Sequence, residues 1–203
     1  MGLTHAALTT ISTLIWLAMA IAPAPLQAAD NDAAPAPSAE APTPPAVGTP
    51  PPLPEGFRTY TLARSFAIQI PEDWVSVGTV EARSAVITNY DPDRGGGPQA
   101  GDIKTDVQFS DESPNTAISR AVDELVASGY TVTHYSFIEV NGILALRLRV
   151  ADVPGDYPYQ FITYIGYASY GTAMLISHSV SEMEPETWDL LGQIHGSFVP
   201  VYR

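Results

Sequence analysis

From Phe57 onward the chain alternates between two hydrophobic periods. In "FAIQIPEDW" the apolar side chains Phe66, Ile68 and Ile70 recur at every second position, as one face of a β-strand requires. Pro71 then withdraws the amide that a further ladder bond would need. "SAVITNY" (84–90) and "IKTDVQFS" (103–110) predict two more strands. The period next lengthens. In "SPNTAISRAVDELVASGY" Ile118, Val122, Leu125 and Val126 fall on one side of a helix, and such a stripe needs a sheet to cover. Ser113 is placed to cap the free amides, Pro114 suits the first turn, and Gly129 supplies a left-handed exit. Four strands follow. "TVTHYSFIEV" and "ILALRLRVAD" are joined by Asn141-Gly142, a pair suited to a two-residue hairpin turn. In the second, Leu144, Leu146, Leu148 and Val150 alternate with Ala145, Arg147 and Arg149, predicting one core face and one polar face. "YPYQFITYIGYA" and "TAMLISHSV" predict a second hairpin across Ser169 to Gly171. "EPETWDLLGQIHGSF" predicts a closing helix, with Pro185 at its start and Trp188, Leu191 and Ile194 as its apolar stripe. The order βββ-α-ββββ-α contains no strand–helix–strand repeat. It predicts an α+β domain with a mostly antiparallel central sheet and helices packed on it.

Before Phe57 no such periodicity exists. Residues 1–29 hold no Lys, Arg, Asp or Glu, and "AALTTISTLIWLAMAIA" is followed by the small residues of "PAPLQAAD". This reads as a signal peptide cleaved after Ala28 or Ala29. Only His5 and the amino terminus stand in for the usual basic start, so an uncleaved anchor is the alternative. Residues 30–56 are rich in Pro and Ala with almost no large apolar side chain, too few to offset chain entropy by burial. They read as a disordered, semi-extended linker, with a proline-rich ligand for an SH3-type partner as the lesser reading. The expected organisation is therefore 1–29 leader, 30–56 linker and 57–203 folded domain. Export follows, to a periplasm, a thylakoid lumen or the extracellular space. The chain has no cysteine, which closes the lipoprotein route and leaves the domain to stand on its core without disulfides.

Charge narrows the partners. With 22 acidic and 9 basic residues, a single lysine among them, the net charge is −13. Such a surface repels phosphate backbones and anionic head groups, which disfavours nucleic acid as a partner.

Phe66, Ile68, Ile70, Pro71 and Trp74 together spell F-x-I-x-I-P-x-x-W, and Trp188 with Ser197-Phe198 closes the chain on a W…SF pattern. With the element order, these residues resemble the PsbP-like domain across Phe57 to Arg203. The resemblance implies an α/β/α sandwich, a fold shared with a Ran-binding import factor and several bacterial lipoproteins. It further implies non-catalytic accessory proteins, among them lumenal photosystem II subunits and assembly factors of oxygenic phototrophs. The matching residues are core and turn makers, and no metal-binding position of the family maps onto this chain.

Candidate chemistry is sparse. "NYDPDRGGGPQAGDIKTDV" gathers the oxygen-bearing side chains Asn89, Asp91, Asp93, Gln99 and Asp102 around three glycines. Asp91, Asp93 and Asp102 stand at positions one, three and twelve of a calcium-loop spacing, with Gly96 at position six. Position five is Gly95 without a side-chain oxygen, and position twelve is Asp rather than the longer Glu. A phosphate cradle lacks both a following helix and a Walker lysine. A long, solvated hairpin loop is the preferred reading; a divalent-cation site, calcium above all, and a protein-docking loop are the alternatives. His134, His178 and His195 share no metal-ligand spacing and are expected in structural or surface roles. No G-x-S-x-G elbow exists, and there is no cysteine nucleophile, so no enzyme is expected. Arg147 and Arg149, two apart on one strand face, suggest a carboxylate or lipid-phosphate clamp, against a commoner pairing with acids on neighbouring strands. Tyr157, Tyr159, Tyr164, Tyr167 and Tyr170 would mark a binding surface only if exposed together. The reading that results is an exported, non-enzymatic accessory or assembly protein. It is expected as a monomer, docking on a larger membrane-bound protein complex and carrying no cofactor. The alternative is a calcium or small-ligand binding protein that uses the 91–102 loop.

Overall fold

The computed structural model describes residues 50–201; the leader, residues 30–49 of the linker, and Tyr202 and Arg203 lie outside the described residues. Among the described residues ten strands and two α-helices follow one another as β1 (Phe57–Leu62), β2 (Phe66–Pro71), β3 (Val75–Thr79), β4 (Ser84–Thr88), β5 (Ile103–Ser110), α1 (Pro114–Ser128), β6 (Thr131–Val140), β7 (Ile143–Ala151), β8 (Tyr159–Gly166), β9 (Thr172–Ser179), α2 (Pro185–Gly196) and β10 (Val199–Pro200). The strands make two sheets, β1-β2-β10 and β3-β4-β5-β9-β8-β7-β6, and every pairing is antiparallel. The α+β class with helices against a sheet-dominated body holds. The order βββ-α-ββββ-α does not: β1, β3 and the short β10 are additional, and the strands divide between two sheets.

The two early strands escaped the sequence pattern for physical reasons. β1, "FRTYTL", interleaves its apolar residues with Thr and Arg and is only half-buried through most of its length. β3, "VSVGT", is an edge strand whose valines face solvent, so no core face shows in its sequence. Gly78 in β3 is required by a close crossing: a Cβ there would lie 2.1 Å from Tyr60 Oη and 2.8 Å from Leu62 Cδ1 of β1.

The cap residues of the first helix act as their types require. Ser113 caps α1, Pro114 opens it, and Gly129 closes it at φ 71°, donating its amide to Val126 O. Asn141 and Gly142 both take positive φ between β6 and β7, as a two-residue turn there requires.

Register assigns the residues of the seven-stranded sheet to two faces. Ala85, Ile87, Val107, Phe109, Phe161, Ile165, Ala173 and Leu175 form one, and they pack with Phe66, Ile68 and Ile70 of β2 and with Leu191, Ile194 and Phe198. Thus the small sheet and α2 together cover this face. The opposite face carries Leu146, Leu148, Val150, Ile162 and Tyr164, and α1 lies over β8 there with Ala117, Ile118, Ala121, Val122 and Leu125 buried. In β7 the expected alternation holds from Leu146 to Val150, with Arg147 and Arg149 half-buried on the polar side, but Ala145 on that side is as buried as Leu146. Leu144 and Val126 correct the expected core. Leu144 sits beside the hairpin tip and is 68% exposed, and Val126 lies on the outer flank of α1.

The motif residues now have a mechanical reading. Ser197 Oγ accepts the β2 amide of Gln69 at 2.8 Å and donates to Ile194 O at 2.7 Å, while Val199 pairs with Ala67. The closing Ser-Phe step thus ties the end of α2 to β2. Residues 50–56, counted with the linker by composition, belong in part to this body. Pro51 O accepts from Gln69 Nε2 at 2.6 Å, and Gly56 O accepts the Glu72 amide at 2.9 Å.

Candidate functional site

Residues 89–102 connect β4 to the adjacent antiparallel β5, so the glycine-rich stretch is a hairpin loop. Its own side chains organise it. Asn89 Oδ1 accepts the Ile103 amide at 2.8 Å while its Nδ2 donates to Gly101 O at 2.9 Å, pinning the two ends together. Asp91 Oδ1 accepts the Asp93 amide at 2.9 Å, a local turn that uses one of the oxygens a cation would need. Asp102 is buried, ion-paired with Arg94, and accepts the Gln99 amide. Burial opposes ionisation there, but the Gln99 amide and the Arg94 guanidinium outweigh it and hold the carboxyl below its ordinary range. Asp91 and Asp102 thus serve the loop's own fold, and Asp91 and Asp93 are exposed. Among the described residues no group of three His, Cys, Asp or Glu side chains converges as a metal site would require. Melting in excess calcium and in chelator is expected to agree within about 2 °C. A site holding calcium at a hundredfold excess over Kd would raise the midpoint by roughly 5–10 °C, and Asp91→Asn with Asp93→Asn would abolish that rise.

The loop is wired to the α1-bearing face of the sheet. Arg94 stacks 4.5 Å over the Tyr90 ring, and Tyr90 Oη meets Tyr157 Oη at 2.7 Å. The Tyr157 ring stands edge-on to His178 at 5.9 Å. His178 Nδ1 contacts Gln160 Nε2 at 3.3 Å; its Nε2 lies 3.0 Å from Asp106 Oδ2, at ion-pair distance without a well-aligned hydrogen bond. Lys104 Nζ reaches the same Asp106 oxygen at 2.9 Å. Burial raises the Asp106 pKa, yet His178 and Lys104 outweigh it and leave the carboxyl below its usual value. Sequence spacing could not show this cluster, because its members come from β5, β8, β9 and two loops.

On the other face a second polar chain is sealed. Thr105 Oγ1 meets Ser177 Oγ at 2.7 Å, Ser177 Oγ meets His195 Nε2 at 3.0 Å, and His195 Nδ1 meets Thr163 Oγ1 at 2.9 Å. All four residues are fully buried. A Ser–His contact of this length would suit nucleophilic catalysis in a cleft. Here no substrate can reach it, and each imidazole nitrogen has a hydroxyl partner that makes the neutral ring a satisfied core group.

A cavity of about 350 Å³ lies between α1 and the sheet. It exists because α1 presents the small side chains Ala117 and Ala121 to Ile162, Met174 and Ile176. Pro114 holds the helix start in place against Gly166, where a Cβ would meet the proline ring at 2.7 Å. Arg120 spans its rim between Glu112 at 2.6 Å and Glu124 at 3.4 Å. The Tyr164 hydroxyl faces this space; burial raises its pKa to about 12, and it makes no hydrogen bond among the described residues. Of the five tyrosines singled out, Tyr164 and Tyr167 are buried and Tyr157, Tyr159 and Tyr170 half-buried, so they make no exposed aromatic face.

Arg147 and Arg149 share a face, as their spacing predicts, but not the expected acid partners. Arg147 stacks over Phe161 at 4.9 Å and Arg149 over Trp188 at 4.4 Å, and neither forms an ion pair among the described residues. The aromatic rings of β8 and α2 replace cross-strand carboxylates as their support.

No family model matches the chain, and no curated protein matches it in sequence. Among solved structures it is similar to the protein of unknown function PA94 from Pseudomonas aeruginosa, at 12% identity and a TM-score of 0.46, over 72% of this chain and 99% of that one. It is also similar to cyanobacterial PsbP from Synechocystis, at 12% identity and a TM-score of 0.41, over 72% of this chain and 93% of that one.

Proposed function

We propose that this chain is an exported, non-enzymatic accessory protein that docks on a larger membrane-bound protein complex through the α1-bearing face of its seven-stranded sheet. In an oxygenic phototroph that complex would be a photosystem II assembly. The observation that carries the reading is the apolar surface flanking α1. On one side, Phe137 and Leu144 are diagonal neighbours on β6 and β7, 45% and 68% exposed. On the other, Val77 pairs directly with Val86, with Val75 two residues along, and all three are exposed. Single exposed apolar residues need no explanation, but two groups on one face are what a protein partner would cover. The apolar leader supports export, and the F-x-I-x-I-P-x-x-W resemblance supports an accessory role. The burial of Ser177 and His195 supports a non-enzymatic one.

The test is retention of partners from detergent-solubilised membranes of the native host. The wild-type chain is expected to retain a defined complex, and Phe137→Ser with Leu144→Ser to lose most of it. The folding stability of that variant should move by less than about 1 kcal/mol, since both side chains already face water. Full retention by the double variant would exclude this face.

A second reading rests on the cavity under α1. Its volume lies within the usual range for small-molecule sites, and an apolar floor beside the Tyr164 side chain suits an amphiphilic ligand. That reading moves the small-ligand alternative away from the 91–102 loop.

A further inference from the structure

In a chain with 22 acidic and 9 basic residues, acids are available to pair with every cation. Arg83, Arg94, Lys104 and Arg120 each contact one or more acids, and Arg58 donates to Trp74 O at 2.7 Å. Arg64 has no acid but stands exposed at a turn. Arg147 and Arg149 are different, because both are half-buried and side by side. Partial desolvation disfavours each charge, and like charges on one strand face repel. Burial and then the Arg149 charge push the Arg147 pKa below its ordinary value. The fold bears this arrangement without supplying an anion.

The forks are held ready. Stacking on Phe161 and Trp188 fixes the two guanidinium planes. Arg147 spends Nε on Thr163 Oγ1 and one terminal nitrogen on Gly192 O, both at a long 3.4 Å. The Arg149 guanidinium makes no hydrogen bond among the described residues and contacts only the Trp188 ring, so its donors remain free. A bulge in β6 between Val132 and His134 brings the exposed His134, rather than Thr133, opposite Arg149, and places Ser136 opposite Arg147. Further donors thus border the pair.

We propose that Arg147 and Arg149 form a binding site for a compact carboxylate, on the sheet face opposite the docking surface. Compactness follows from the net charge of −13, which repels extended polyanions such as a membrane surface or nucleic acid while leaving a local cationic pair able to hold one group. Carboxylate follows from geometry: a planar two-oxygen group matches the stacked forks bidentately. The carboxylate can belong to a free metabolite or to the end of a peptide chain. The site stands or falls separately from the docking reading, since it uses none of the same residues.

The experiment is a titration of ¹⁵N-labelled protein at constant ionic strength, following the Arg149 Nε–H and Trp188 indole N–H signals. Succinate and an N-acetylated dipeptide with a free carboxyl end serve as probes, with succinamide and the amidated dipeptide as neutral counterparts. Both signals are expected to shift saturably with the carboxylates and to stay still with the amides. A tighter response to succinate identifies the metabolite source, and a tighter one to the peptide the chain-end source. Arg149→Gln, which removes no protein hydrogen bond, should weaken the affinity at least about tenfold, while Arg64→Gln should leave it unchanged. Arg149→Lys, which keeps the charge and loses the fork, should fall between. Shifts that never saturate, or that persist equally in Arg149→Gln, overturn the site as mere screening. A tighter response to inorganic phosphate than to either carboxylate overturns the carboxylate assignment.

Discussion

Replacing Phe198 by alanine is expected to remove about 3–5 kcal/mol from the stability of the fold, the range for truncating a fully buried aromatic side chain. Phe198 has no exposed surface, and its ring meets Phe66 at 5.2 Å and Phe109 and Tyr167 at 6.2 Å each. These neighbours come from the small sheet, the large sheet and the turn after β8, so the side chain fills the junction where separate elements meet. Collapse into the vacancy is resisted by the main chain on both sides. Ser197 is hydrogen-bonded to Gln69 and Ile194, and Val199 is paired with Ala67. The cavity should therefore stay open and the cost lie toward the upper end of the range. Urea unfolding checks this through a lower midpoint at unchanged slope. Phe137→Ala, which truncates an exposed ring of the same type, is the comparison and should cost under about 1 kcal/mol. A Phe198 variant as stable as the Phe137 variant would remove the junction from any account of what holds the two sheets together.

Why some of this was legible in the sequence and some not follows from how local each feature is. Ser113, Pro114 and Gly129 act within one turn of the chain, and Asn141-Gly142 acts within two residues, so α1 and the β6–β7 hairpin were readable at their ends. Alternation showed β2 because the inward side chains Phe66, Ile68 and Ile70 are all fully buried. It failed for β3, an exposed edge, and at the start of β7, where Leu144 by the hairpin tip is exposed and Ala145 is buried. The loop aspartates suggested a metal by spacing alone. Their contacts with Arg94 and with the amides of the loop depend on the fold of the loop itself, which spacing does not encode. The arginine pair shows the same limit from the other side. Its shared face was legible from a separation of two residues, but its partners are rings from β8 and α2, and only tertiary structure brings those into reach. For His195 the spacing left structural and surface roles equally open. In the fold it points inward and is fully buried.

That inward placement makes His195 a source of acid sensitivity, and lowering the pH from 7 to 5 is expected to cost about 2 kcal/mol through this residue alone. Burial first, and then the Arg147 charge, lowers its pKa to about 3, against about 6.5 in the unfolded chain. Between these values the unfolded state binds a proton that the folded state refuses. Stability therefore stands in full above about pH 6.5 and falls as the pH drops, by up to roughly 1.4 kcal/mol per unit. The decline continues to about pH 3, where the folded state would itself take up the proton. Asp102 and Asp106 have lowered carboxyl pKa values, so their contributions are retained at neutral pH and lost at more acidic values than those where the His195 effect begins. Comparison with a variant that changes His195 alone isolates this histidine in the interval from 6.5 to 5. His195→Gln retains an amide that can bond to Ser177 or Thr163 but does not titrate. It should be less stable than wild type at pH 7, and the difference should shrink by about 2 kcal/mol at pH 5. Urea midpoints of both proteins at the two pH values measure this directly, and the His195 ring protons should report a neutral imidazole in the folded protein at pH 5. A difference that stays constant with pH would mean that His195 takes up its proton in the folded state, and that the Thr105–Ser177–His195–Thr163 chain is open to water.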